Sequence, residues 1–131
     1  MKKTALVTHE ECLQHVTPPG HPEQVARLEY ILEALKDINL LRVSAPMAAD
    51  DDILRIHPRE HINYLQDAVP ETGFKSLDGD THISSGSLTA AYRAAGGVLR
   101  AVDLVLSGEA KNAFVAVRPP GHHAGTQTAM G

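Results

Sequence analysis

The chain has 131 residues, 43% of them hydrophobic and 21% charged, with 12 Lys plus Arg against 16 Asp plus Glu. That length suits one folded domain, the apolar share excludes a disordered chain, and a formal net charge of −4 argues against a nucleic-acid binder that works by neutralising phosphates. With two Phe, three Tyr and no Trp the core is expected to be aliphatic, and the single cysteine, Cys12, excludes an internal disulfide and fits a reducing, cytoplasmic compartment.

Residues 3–8 read as a short strand. The run Thr4-Ala5-Leu6-Val7 after two lysines has the charged start of a signal peptide, but it stops at Thr8-His9-Glu10-Glu11, too short for the apolar region such a peptide needs. No stretch approaches the roughly 18 apolar residues of a membrane span. A loop rich in Pro, Gly and His covers 17–22. Pro22 and Glu23 then suit the first turn of a helix over 23–37, where Val25, Leu28, Ile31, Leu32, Leu35 and Ile38 recur at steps of 3 and 4.

Residues 40–44 read as a second strand, closed by Pro46. Asp50-Asp51-Asp52 places acids at the start of a short helix carrying Ile53, Leu54 and Ile56. Pro58 ends it and opens another helix over 58–68, with Ile62, Leu65 and Val69 inward. Residues 70–86, with three glycines, read as a long loop. The longest helix is expected over 87–107. Its expected buried face is Leu88, Ala91, Ala95, Val98, Leu99, Val102 and Leu106, and its small run Ala90-Ala91 and Ala94-Ala95-Gly96-Gly97 would admit a close neighbour. Gly108 suits the stop. The unbroken apolar run 113–117 suggests a central strand buried on both faces of a parallel sheet. The order β-α-β-α-α-β predicts an α/β layer fold.

The segment Arg118-Pro119-Pro120-Gly121-His122-His123-Ala124 follows that strand, where ligands bind beyond the carboxyl ends of open α/β sheets. The prolines stiffen the approach, and Gly121 frees the backbone to turn. Two adjacent imidazoles repel when both are charged, so such a pair titrates as a unit, and its neutral member is suited to general-base work. On residue types alone, the pair reads equally as a solvent-exposed dipeptide or a fortuitous metal binder. The other histidines, His9, His15, His21, His57, His61 and His82, show no ligand pattern with cysteines or a His-Glu-x-x-His helix. His57 and His61 are four apart, but Pro58 interrupts the helix between them.

The segment 118–124 followed by Ala129-Met130-Gly131 resembles the histone deacetylase and deacetylase-like amidohydrolase superfamily. Gly20-His21-Pro22-Glu23 with Arg27, the run Ile53–His57 with His61, and Asp78-Gly79-Asp80-Thr81 ahead of the small helical run agree in order and spacing. The resemblance implies a partial three-layer, arginase/deacetylase-like fold with a mainly parallel sheet flanked by helices. It implies His122 as general base toward a zinc-bound water and His123 as its protonated partner. Asp80, with Asp78 as rival, would be the rim residue that holds substrate backbone, and Gly121 part of the tunnel wall. The substrate would be an acetylated amine, either acetyl-lysine or an acetylpolyamine.

Two departures accompany it. Gln24 stands where many relatives have an arginine lining an acetate channel, so either that channel is altered or Arg27 serves in its place. The family's zinc ligands and oxyanion-stabilising tyrosine lie beyond the Ala-Met-Gly element. The resemblance therefore implies that residues 1–131 are the N-terminal part of a catalytic domain, with Zn2+ in the parent enzyme and none held by this portion. A non-catalytic binding or scaffold fragment is the alternative. Self-association through 113–117 or 87–107 is expected, with no nucleic-acid or membrane partner.

Overall fold

The computed structural model describes residues 1–130. Gly131, the end of the Ala-Met-Gly element, lies outside the described residues. Five strands and four α-helices follow one another as β1 (Thr4–Thr8), α1 (Val25–Leu35), β2 (Leu41–Ser44), α2 (Asp50–Ile53), α3 (Arg59–Ala68), β3 (Phe74–Ser76), β4 (His82–Ser84), α4 (Ser87–Leu106) and β5 (Asn112–Val115). A 3₁₀ turn over Glu10–Gln14 follows β1, opened by His9, whose Nδ1 accepts from the Glu11 N–H at 3.0 Å.

The main sheet is parallel, in the order β2-β1-β5, with Ala5 opposite both Leu41 and Ala113. The strand buried on both faces is therefore β1, whose Ala5, Leu6 and Val7 are at most 2% exposed. The expected central strand, 113–117, is instead the sheet's edge, and Phe114 stands 47% exposed. The apolar run reflects a strand suited to burial, but nothing in the described residues pairs its outer edge.

Side chains alternate across a strand, so β1 divides the core in two. Ala5 and Val7 pack with Ala45, Ala101, Leu104 and Ala110 on one face. Leu6 packs with Cys12, Leu28 and Ala116 on the other, backed by Leu32 and Leu35 of α1. One layer is thus α4, the next the sheet, and the third α1, while the 3₁₀ turn also reaches α4 through Arg93, which donates to Glu11 at 2.7 Å. The expected three-layer α/β arrangement is present.

The face that α4 turns to the sheet is the small one: Ala90, Gly96, Gly97, Ala101 and Leu104 are buried. The expected buried face is mostly the outer one, with Val98 and Val102 each 50% exposed and Leu106 81%. Small side chains let the helix come close to the segment after β2. A Cβ on Gly96 would lie 1.9 Å from the Pro46 carbonyl oxygen. The helix stops at Ser107, and Gly108 takes φ +80, the left-handed turn glycine adopts freely.

The expected loop 70–86 contains the antiparallel hairpin β3–β4. Its tip is closed by Asp78, whose Oδ1 accepts from the N–H groups of Asp80 and Thr81 at 2.8 and 2.9 Å. An aspartate bonding forward to the backbone is the local chemistry of such a turn. No helix among the described residues is long and apolar enough to cross a membrane.

Candidate active site

From β1 the chain runs through α1 to β2 on one side, and later through α4 to β5 on the other. The strand order therefore reverses at β1, and a crevice opens at the carboxyl ends of β1 and β5, where doubly wound sheets bind ligands. The segments leaving those ends, 9–23 and 116–130, meet there. Ala116 N–H donates to the Val7 carbonyl at 2.9 Å, and the Thr8 hydroxyl donates to the Ala116 carbonyl at 2.6 Å.

Arg118 is the hub of this meeting. Its guanidinium is 3% exposed and donates to both carboxylate oxygens of Glu23, Nε to Oε1 at 2.9 Å and Nη2 to Oε2 at 2.6 Å. Nη1 donates to the carbonyls of Cys12 and His15 at 3.0 and 2.7 Å. Glu23, expected in the first turn of α1, lies just before it: Gln24 caps the helix, and the Glu23 carboxylate is drawn to the buried cation. Residue types alone do not reveal this pair, although a lone Arg immediately after an apolar run is a visible signal.

His15 stands beside the pair. Its Nδ1 is 2.6 Å from the Ser87 hydroxyl, and its Nε2 is buried, without a hydrogen bond, 3.7 Å from Glu23 Oε2. Burial pushes its pKa down to about 4, and the Arg118 charge adds to the effect. His15 is therefore neutral at neutral pH. His82 Nδ1 is a second buried nitrogen without a partner.

His122 and His123 lie on the loop past β5 with ring centroids 4.1 Å apart, inclined at 52°. The structure brings the two together, and both are exposed. Gly121 lines a cleft of about 400 Å³ with Pro119, Pro120, His57, His61 and Leu65. Its backbone is not in the positive-φ region, so the turn there does not draw on the freedom expected of glycine. A Cβ there would meet no atom of this chain within 4 Å, leaving open space beside the backbone.

Asp80 sits at the hairpin tip with its side chain 91% exposed. Asp78 is committed to the turn, and the Asp80 and Thr81 N–H groups hold its carboxyl below the usual carboxylate range. Of the two rivals, Asp80 is the one whose carboxylate makes no bond to the turn; its Oδ1 lies 3.7 Å from His21 Nε2. His21 ties the hairpin to the 17–22 loop. Its Nδ1 accepts from the Glu23 N–H at 3.1 Å, so Nε2 carries the proton and donates to the Asp80 carbonyl at 2.9 Å.

His57 and His61 stack with centroids 4.7 Å apart. Pro58 does not separate them, because it caps α3 in an extended conformation and leaves His57 beside the first turn. His57 Nδ1 donates to the Thr126 carbonyl at 2.7 Å, holding the far part of the His122–His123 loop. Burial first, then the neighbouring His57, pushes the His61 pKa down. Across the cleft, the Tyr92 hydroxyl donates to Asp50 at 2.7 Å, and its pKa is pushed up to about 12 by burial and by that carboxylate. Gln24 and Arg27 lie at the start of α1, where Arg27 Nη1 reaches Glu23 at 3.3 Å with its side chain more than half exposed. Among the described residues, no group of three or more His, Cys, Asp or Glu side chains converges to hold a metal ion.

A profile of the histone deacetylase domain matches residues 21–131. The chain belongs to the histone deacetylase family. It is 38% identical over 127 residues to a probable deacetylase of Archaeoglobus fulgidus, covering 92% of this chain and 35% of that protein. It is 37% identical over 151 residues to a histone deacetylase-like amidohydrolase of Pseudomonas aeruginosa, covering 99% and 40%. The crystal structure of the HDA15 HD domain superposes with a TM-score of 0.88 at 30% identity, over 98% of this chain and 40% of that one. The deacetylase-family chain thus spans less than half the length of these relatives, and the shared part includes the whole three-layer core and the His122–His123 loop.

Proposed function

We propose that this chain is the N-terminal part of a deacetylase-like amidohydrolase domain and carries the proton-transfer side of hydrolysis of an N-acetyl amide. The observation that carries the reading is the pair of imidazoles 4.1 Å apart at the strand-order reversal, in a chain matched by the histone deacetylase domain. His122 acts as general base and takes a proton from the attacking water. His123 holds a proton for the departing amine. General-base assistance of this kind is worth about 10²–10⁴-fold.

Asp80 supports the reading as a substrate anchor, because its side chain is 91% exposed and its carboxylate is able to accept amide N–H bonds from an acetylated amine. Gly121 supports it through the open space beside its backbone, which leaves room for an extended acyl-amine chain. Acetyl-lysine and acetylpolyamine are the two substrate classes the reading takes in. Zinc, when bound in the whole domain, would polarise the acetyl carbonyl and activate the water. The described residues do not fit a zinc site by themselves, so the metal belongs with other segments of the domain, and residues 1–131 alone are inactive. A buried, free Cys12 agrees with work in the reducing cytoplasm.

A second reading is favoured by the unpaired edge of β5 and the exposed outer face of α4: a non-catalytic fragment that works by association. The test is a chimera of residues 1–131 followed by the remaining part of the Pseudomonas relative, assayed on acetyl-lysine and acetylpolyamine reporters. The expected result is hydrolysis, with His122→Ala lowering kcat by about 10²–10⁴-fold at unchanged metal content. An unaltered rate in His122→Ala overturns the assignment of the base, and metal loss reassigns His122 as a ligand.

A further inference from the structure

We infer that Arg118, with Glu23 as its counter-charge, is a positioning residue that sets the placement of the His122–His123 pair; this rests on the reading of that pair as the proton-transfer group. The guanidinium engages four acceptors on two separate segments: both oxygens of Glu23 and the carbonyls of Cys12 and His15. All of them lie in the chain that leaves β1, whereas Arg118 lies in the chain that leaves β5. One planar fork therefore fixes the distance and the orientation between the two sides of the crevice.

A buried ion pair is a poor device for stability alone, since apolar packing of similar volume commonly serves as well. What a fork adds is direction. Pro119 and Pro120 follow Arg118 at once, and each ring locks its φ, so little slack remains between the anchor and Gly121. Beyond it, residues 121–128 are exposed. Their other ties include Ala124 N–H to the Gly121 carbonyl at 3.0 Å, Gly125 N–H to the Thr128 carbonyl at 2.9 Å, His57 to Thr126 and His61 to the Gln127 backbone, all within the loop or past it. The base of the loop is held by Arg118, and its far side by His57.

The arrangement also explains His15. Its imidazole lies against the same carboxylate, and a charged ring there would compete with the guanidinium for Glu23. Held neutral, it does not compete with Arg118 for the carboxylate, whose Oε1 also accepts from Arg27 at the surface at 3.3 Å.

The test uses the chain as it stands and needs no turnover. Proton NMR reads the cross-peak between the His122 and His123 rings, and ¹⁵N relaxation reads the order of residues 121–124. The variants are Arg118→Lys, which keeps the charge but not the fork, and Glu23→Gln, which keeps the shape but not the charge. Leu104→Ala is the control, a buried change in α4 that lowers stability without touching the crevice. The expected result is loss of the ring–ring cross-peak and of order at 121–124 in both variants, with β1 and α4 resonances retained. Leu104→Ala should lower the denaturation midpoint and keep the cross-peak. A folded Arg118→Lys or Glu23→Gln that keeps the cross-peak overturns the inference, and so does its loss in Leu104→Ala, which would reduce Arg118 to general stability. Because this readout is geometric, its failure is separable from failure of the hydrolase reading, which the chimera tests.

Discussion

Replacing Gly96 with alanine should destabilise the chain, against the usual effect of such a change in a helix. Gly96 lies in the middle of α4, where alanine normally gains about 1 kcal/mol over glycine. Here the added methyl would lie 1.9 Å from the Pro46 carbonyl oxygen and 2.8 Å from the Ala48 nitrogen. Both are backbone atoms and neither can swing aside, so the 45–48 segment must retreat from the helix. Overpacking of that kind costs about 1–3 kcal/mol. Retreat also strains two bonds between the same elements, Ala48 N–H to the Tyr92 carbonyl at 3.0 Å and Arg93 to the Ala45 carbonyl at 3.1 Å, each worth about 1 kcal/mol. Set against the helical gain, the net loss is about 2–4 kcal/mol, a large part of the stability of a domain this size. Gly97→Ala is the internal comparison. Its methyl would meet the Ala45 side chain at 3.1 Å, a contact eased by a shift of a few tenths of an ångström, so its effect should be clearly smaller. Urea denaturation followed by circular dichroism measures both. A Gly96→Ala protein stabilised by about 1 kcal/mol, as in an open helix, would refute the close approach and the packing derived from it.

His15 gives a pH dependence of defined sign. Its pKa is pushed down to about 4 in the folded chain from an ordinary 6.5, so the unfolded chain takes up the proton first as pH falls. The associated stability is complete above pH 6.5 and is lost between 6.5 and 4, by about 3 kcal/mol in all; the urea midpoint should fall more steeply over that range than in His15→Asn. At the hairpin tip, Asp78→Ala should lower the melting temperature, while Asp80→Ala leaves it unchanged, because only Asp78 bonds to the turn backbone. With β5 unpaired on one side and Val98, Val102 and Leu106 exposed on α4, sedimentation at micromolar concentration should show self-association, and a monomer would rule it out. Pure residues 1–131 should not hydrolyse an acetyl-lysine reporter, and chelator-sensitive turnover would show that the metal site is complete within them.

Local pattern carried the elements whose cause is local. The β-prone run at 4–8, the helical spacing within 25–35, the acids opening α2 and the glycine closing α4 are each decided by neighbours in the chain, and their places could be read from residue order. The candidate pair was legible because its two histidines are adjacent on a proline-stiffened loop, whereas the 4.1 Å approach of their rings is a property of the folded loop. Tertiary structure decided what depends on which surfaces meet. The edge position of β5 follows from strand order, which no apolar run encodes. The inward turn of the small face of α4 follows from the close pass of Pro46, which only the folded backbone supplies. Asp80 and Asp78 are chemically alike and two residues apart, and only the turn geometry assigns one to the backbone and leaves the other exposed beside His21. Glu23 looked like a helix-start acid because that is its local context. Its carboxylate serves Arg118, 95 residues away in sequence, because a buried guanidinium left without a counter-charge costs more than a helix terminus left without an acid.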